Sequence, residues 1–83
     1  MVAGSSLRGL RPVPGAPGLD WARMEVFEGW LVFITDQMNY VQFFVPMVAV
    51  PSARSVEFAD GLDWCPPDAV TTVLAELRRE VLN

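Results

Sequence analysis

The chain has 83 residues, of which 52% are hydrophobic and 19% charged, and its net charge is −4. This length accommodates one small domain, and the apolar fraction is too high for a chain that is disordered throughout. The acidic balance argues against a nucleic-acid partner, because phosphate binding requires clustered basic side chains. The chain lacks histidine and lysine and has one cysteine, which excludes histidine-dependent and Schiff-base catalysis, zinc ribbons and intramolecular disulfides.

The first twenty residues are rich in glycine and proline and carry few large apolar side chains. Such a segment buries too little surface to offset the entropy lost on ordering. We therefore predict a flexible tail over residues 1–20 and a single folded domain over residues 21–83. All ten acidic residues and four of the six arginines lie in residues 20–83, which gives this part a net charge of −6.

Two runs of β-branched and aromatic residues predict a hairpin. Trp30–Thr35 is an unbroken run of this kind, and Tyr40–Val45 is a second, as is typical of strands. The polar residues Asp36–Asn39 between them favour a turn. A weaker strand pattern over Met24–Phe27 precedes the hairpin, and Glu28-Gly29 is a candidate turn or bulge.

The remainder of the chain predicts one more strand and a helix. Arg54–Phe58 alternates polar and apolar residues, as a half-buried strand does. Pro67 suits a first helical position, and an apolar stripe with helical spacing follows it: Val70, Val73, Leu74, Leu77 and Val81. The predicted fold class is α+β, with an antiparallel sheet of three or four strands followed by one C-terminal amphipathic helix packed on one face.

The predicted sheet has more apolar surface than one helix covers. Alternation places Leu31 and Phe33 on one face of their strand and Tyr40 and Phe44 on one face of the next. A sheet face that is open to solvent is normally polar. We therefore predict that these four residues contact a protein partner or a second copy of the chain in a homodimer.

A loop rich in carboxylates raises two further hypotheses. Asp60, Asp63 and Asp68 have the oxygen chemistry of a hard-cation site, and with Cys65 they would suit a small carboxylate- or thiol-dependent enzyme. Their spacing does not match an EF-hand, acids are common at helix starts, and no partner base or second cysteine accompanies Cys65. We therefore predict no catalytic, cofactor-binding or metal-binding residues, and we expect a protein that is not an enzyme.

Residues 37–53 carry no charge, but they are too few for a membrane span of about 20 residues. Polar residues and two prolines also interrupt them. The N-terminus has no continuous apolar stretch of the kind found in a secretory signal peptide. We expect a cytoplasmic protein without a membrane span.

The sequence Asn39-Tyr40-Val41-Gln42-Phe43 resembles the "YVQF" strand of the TY-Chap and YbjN-like domains, whose fold is like that of type III secretion chaperones. Further similarity lies in a preceding strand at Trp30–Thr35, an acidic strand at Ser55–Phe58, a proline-bearing loop from Leu62 to Pro67, and a helix over Ala69–Leu82 with its pair Leu74 and Leu77. The resemblance covers residues 29–83. Family members usually begin with a helix and continue beyond the last one, so the resemblance is to part of the family's domain.

The resemblance implies a non-enzymatic, often dimeric protein that holds another polypeptide. Together with the apolar sheet face, it favours a chaperone-like or adaptor module that binds protein. An accessory subunit of a larger complex is the alternative, since it would also present an apolar face to a partner.

Overall fold

The computed structural model describes residues 9–48 and 62–82. A four-stranded antiparallel sheet in the order β1-β2-β3-β4 precedes one C-terminal helix, which confirms the predicted α+β fold. The predicted strand at Arg54–Phe58 lies outside the described residues. The elements are β1 (Arg11–Pro12), β2 (Asp20–Val26), β3 (Gly29–Thr35), β4 (Tyr40–Pro46) and α1 (Pro67–Leu82), with a short 3-10 helix at Leu62–Trp64 before α1.

A tight turn joins β2 to β3. Val26 pairs with Gly29, which leaves Phe27 and Glu28 as the turn. Glu28 has a φ of 65°, a left-handed conformation that costs a side-chain-bearing residue about 1 kcal/mol. The carbonyl of Glu28 accepts a hydrogen bond of 2.9 Å from the N–H of Met47, so the turn is fixed to the end of β4.

The hairpin of β3 and β4 confirms the prediction made from the two apolar runs. Its turn is held by the carboxylate of Asp36, whose Oδ1 accepts hydrogen bonds from the backbone N–H of Asn39 at 2.6 Å and of Met38 at 2.7 Å. The hydroxyl of Thr35 donates to the carbonyl of Asn39 at 2.8 Å. The hydrogen bonds from Asn39 and then Met38 lower the pKa of Asp36, because they stabilise the ionised form.

The core lies between one face of the sheet and α1. Alternate residues of β3 and β4 contribute their side chains to it, together with Trp21 from β2. The apolar stripe of α1 faces them, as the helical spacing predicts. The buried residues of the helix are Ala69, Val70, Val73, Leu74 and Leu77.

The predicted flexible tail over residues 1–20 is wrong for the part that the structure describes from Arg11 onward. Arg11 pairs with Trp21 in the sheet, and both Val13 and Leu19 are buried in the core. The N–H of Val13 donates to the carbonyl of Leu19 at 2.9 Å, which closes the intervening loop. Two apolar side chains and a closed loop offset the ordering entropy, so the folded domain extends N-terminal to residue 21. Residues 1–8 lie outside the described residues.

A carboxylate on α1 ties the N-terminal strand to the helix. Glu80 accepts a hydrogen bond of 2.7 Å from Nε of Arg23 and lies 2.8 Å from Nη1 of Arg11. The guanidinium of Arg11 also stacks over the ring of Trp21, 4.6 Å from its centroid. The last turn of α1 is thereby joined to β1 and β2.

Candidate protein-binding face

The sheet has a second face that points away from α1. Residues directly opposite one another in antiparallel strands project to the same side, so the pairs Ala22 with Phe33 and Leu31 with Phe44 share this face. We call it the outer face, and its members are Ala22, Met24, Leu31, Phe33, Tyr40, Gln42 and Phe44. The structure thus brings together all four residues that the sequence predicts to contact a partner.

The side chains at the centre of the outer face are buried or half-buried, and those at its flanks are exposed to solvent. Tyr40 is 61% exposed, Phe44 43% and Met24 37%, whereas Leu31 is half-buried. Phe33 is buried, with 6% exposure. The ring of Phe33 stacks with that of Tyr40 at 6.4 Å between centroids and 12° between planes. Phe33 therefore packs against the Tyr40 ring and has little exposed surface for a partner to contact.

At the other end of the outer face, the Phe44 ring lies directly over Gly29. A Cβ on Gly29 would lie 2.6 Å from Cζ and 2.7 Å from Cε1 of Phe44, and it would also press on the carbonyl oxygen of Val45. Only glycine therefore lets the Phe44 ring lie over the start of β3, an arrangement known to stabilise glycines in strands. The sequence reasoning missed both Gly29 and Met24, because their places on this face depend on the β2–β3 register.

The outer face carries one charged side chain in the described strands. Asp20 lies at the end near Tyr40, because it pairs with Thr35 and Thr35 pairs with Tyr40, whereas Asp36 lines a cleft at the start of α1. The arginines of β1 and β2 are on the opposite side of the sheet, where Arg11 and Arg23 bind Glu80. The strands that the structure describes therefore place no basic side chain on this face.

A cleft lies at the start of α1. This cleft has a volume of about 730 Å³ and is formed by the loop of residues 14–19, the turn at residues 36–38 and the first turns of α1. Its polar lining includes Asp36, Asp68 and Thr72. The carboxylate of Asp36 accepts hydrogen bonds from backbone N–H groups of its own turn. The hydroxyl of Thr72 donates to the carbonyl of Asp68 at 2.9 Å. The Asp36 carboxylate and the Thr72 hydroxyl therefore satisfy backbone atoms.

The residues considered for catalysis or metal binding do not form a site in the described part of the chain. Asp63 and Asp68 are exposed, Cys65 is buried, and Asp60 lies outside the described residues. Desolvation raises the pKa of the Cys65 thiol and the charge of Asp36 adds to this effect, so the reactive thiolate is disfavoured. Among residues 9–48 and 62–82, no group of three or more His, Cys, Asp or Glu residues is placed to hold a metal ion.

Comparison with known proteins finds no family model, curated protein or solved structure that matches this chain. The similarity to the YbjN-like domains therefore stays a prediction from the sequence. Within the described segments, no helix is long and apolar enough to cross a membrane.

Proposed function

We propose that this protein is a non-enzymatic, chaperone-like or adaptor module that holds a partner polypeptide on its outer face. The observation that carries the proposal is the exposure of Met24, Tyr40 and Phe44 on one side of a sheet whose other side packs against α1. Large exposed apolar patches on small proteins mark interaction sites. The resemblance to the YbjN-like domains points to the same class of function.

The exposed aromatics are fixed in place before a partner binds. Tyr40 rests on Phe33, and Phe44 lies against the backbone at Gly29. A fixed aromatic side chain loses little conformational entropy on binding, and tyrosine is among the residues that most often dominate interface energies. Replacement of such an anchor costs about 2 kcal/mol or more of binding energy.

Site-specific photocrosslinking tests this proposal. A photoreactive phenylalanine analogue would replace Tyr40 or Phe44 in cells that produce the chain, with Leu82 as the matched control. Leu82 is also exposed and apolar, at 55%, but it lies on α1. We expect one adduct of the same mass from positions 40 and 44 and none from position 82. Equal adducts at all three positions, or none at 40 and 44, would contradict the proposal.

The accessory-subunit alternative uses the same face but differs in the stability of the isolated chain. A module that binds clients reversibly should unfold cooperatively on its own, whereas an obligate subunit has no stable folded state without its partner. Thermal denaturation of the purified chain, followed by circular dichroism, distinguishes them. A cooperative transition supports the module, and its absence supports the subunit.

A further inference from the structure

We propose that two copies of this chain pair through the outer edge of β4, in antiparallel orientation, to form one continuous sheet. This inference goes beyond the proposed function, and it rests on the backbone of β4 rather than on a docked ligand. In the part of the chain that the structure describes, β4 lies at one end of the sheet and pairs only with β3.

The composition of β4 favours pairing with another strand. β4 is seven residues long and has no charged residue, and its one proline is the last residue, Pro46. Charged side chains are among the features by which proteins keep an edge strand from adding to another chain. The first six residues of β4 have no such protection.

Two hydrogen bonds at the ends of the β3–β4 ladder show which backbone groups face outward. The N–H of Asp36 donates to the carbonyl of Asn39 at 3.0 Å, and the N–H of Met47 donates to the carbonyl of Glu28 at 2.9 Å. Residues 39 and 47 thus bond toward β3, and in an antiparallel ladder every second residue between them does the same.

The alternate residues of β4 therefore direct their backbone N–H and carbonyl groups away from β3. The three of them that have both groups are exposed, and they are Tyr40, Gln42 and Phe44. Pro46 also faces outward, but it has only a carbonyl to offer. An incoming strand thus meets three donors and four acceptors on this edge.

The outward groups select one register for a symmetric pair. If Gln42 lies opposite Gln42 of the second copy, Tyr40 lies opposite Phe44 of that copy at both ends. All three N–H groups and the three carbonyls of the same residues then have partners in the other chain. This arrangement has the two-fold symmetry of most homodimers.

The neighbouring registers satisfy fewer of these groups. A shift toward the end of the strand sets the carbonyl of Tyr40 opposite Pro46, which has no N–H. A shift toward the turn sets the carbonyl of Phe44 opposite Met38, whose N–H already donates to Asp36. Both ends of β4 therefore restrict the pairing to the register centred on Gln42.

The side chains of the outer face favour a second copy of the chain over an unrelated strand. In the symmetric register, Tyr40 of each copy lies beside Phe44 of the other, and facing aromatic side chains stabilise paired strands. The two Gln42 amides meet at the two-fold axis, where each has both a donor and an acceptor. A second copy thus supplies complementary groups at every paired position of this face.

The oligomeric state of the full chain tests the proposal, measured by sedimentation equilibrium over a range of concentrations. Gln42→Lys would place two like charges face to face at the two-fold axis. Met24→Lys is the matched control, because Met24 is exposed on the same face but lies on β2, away from this edge. Circular dichroism checks that both variants are folded.

A cysteine variant tests the register. Hydrogen-bonded residues in antiparallel strands have Cα atoms about 5.5 Å apart, which a disulfide can span, so Gln42→Cys should link two copies on oxidation. Phe44→Cys is the control, because the two residues 44 would be offset by about 13 Å along the strands. Cys65 is buried and stays in place.

We expect a dimer that Gln42→Lys weakens by about tenfold or more and that Met24→Lys preserves. We also expect an intermolecular disulfide from position 42 and none from position 44. If Gln42→Lys does not fold, the two cysteine variants decide the question.

A chain that stays monomeric up to about 1 mM overturns the proposal, whether the edge is then covered within the chain or by another protein. A dimer that both lysine variants weaken equally, or that Gln42→Lys leaves intact, also overturns it, and so does a disulfide that forms equally from positions 42 and 44. The proposed function fails separately: in photocrosslinking a second copy gives an adduct of twice the mass of one chain, whereas a bound client gives a different mass.

Discussion

Replacing Gly29 with alanine tests the packing of the outer face most directly. The added Cβ would contact the carbonyl oxygen of Val45, which is backbone, and would meet the Phe44 ring at 2.6 Å. The side chain can move aside, but Val45 is paired with Trp30 within the sheet. The adjoining turn is also fixed, because Met47 donates to the carbonyl of Glu28. The strand therefore has little freedom to relax.

The expected cost follows from that rigidity. Adding a methyl group to a tightly packed site typically costs about 1–3 kcal/mol, and a clash with paired backbone places Gly29→Ala near the upper end. For a domain of this size each kcal/mol lowers Tm by about 4–8 °C, so we expect a fall of about 10–20 °C. Gly9→Ala is the matched control, since nothing lies within 4 Å of its added Cβ, and it should change the free energy of unfolding by less than about 0.5 kcal/mol.

Chemical denaturation of both variants gives the free energies of unfolding, and Phe44→Ala completes a double-mutant cycle with Gly29→Ala. Removing the ring relieves one of the two contacts, so the double variant should lose less than the sum of the single losses. Equal stability of Gly29→Ala and Gly9→Ala would refute the argument that Phe44 and Val45 leave no room at residue 29.

Three further predictions concern the turns and the ion pairs. Glu28→Gly should stabilise the chain by up to about 1 kcal/mol in denaturant titrations, because glycine adopts the left-handed φ of 65° without strain; a loss of stability would contradict this. The depressed pKa of Asp36 contributes stability that is present above its ordinary value of 3.8 and is lost as the pH falls through the lower folded value. As the pH falls below 3.8, the free energy of unfolding of Asp36→Asn should therefore decrease less than that of the wild type. An equal decrease in both chains would refute the assignment. Glu80→Gln should lower the free energy of unfolding by about 1 kcal/mol at low salt and by less at high salt, because the pairs with Arg11 and Arg23 are partly exposed; a loss that does not depend on salt would contradict an electrostatic origin.

The local patterns in the sequence account for most of the fold. The β3–β4 hairpin follows from two apolar runs around a polar turn, and α1 follows from an apolar stripe of helical spacing. The two faces of β3 and β4 follow from simple alternation, which is why Leu31, Phe33, Tyr40 and Phe44 could be assigned to one side. These features depend on interactions between near neighbours, so a single sequence contains them.

The features that escaped prediction depend on longer-range contacts. Residues 11–19 have the composition of a tail, and only the core reveals that Val13 and Leu19 fill it. β2 begins at Asp20, but Arg23 and Glu25 interrupt its apolar pattern in the sequence. Arg23 lies on the helix side of the sheet, where it pairs with Glu80. The burial of Phe33 depends on tertiary packing that alternation does not specify.

The short strand β1 also determines how the sheet can grow. A strand at the edge of a sheet exposes unpaired backbone groups to which another chain can add, and proteins limit this risk with short edge strands and prolines. β1 has two residues, one of which is Pro12, and proline has no N–H to donate to an incoming strand. A truncation that begins at residue 21 would remove this barrier and leave β2 as a bare edge. The N-terminal segment thus protects the chain from aggregation along that edge.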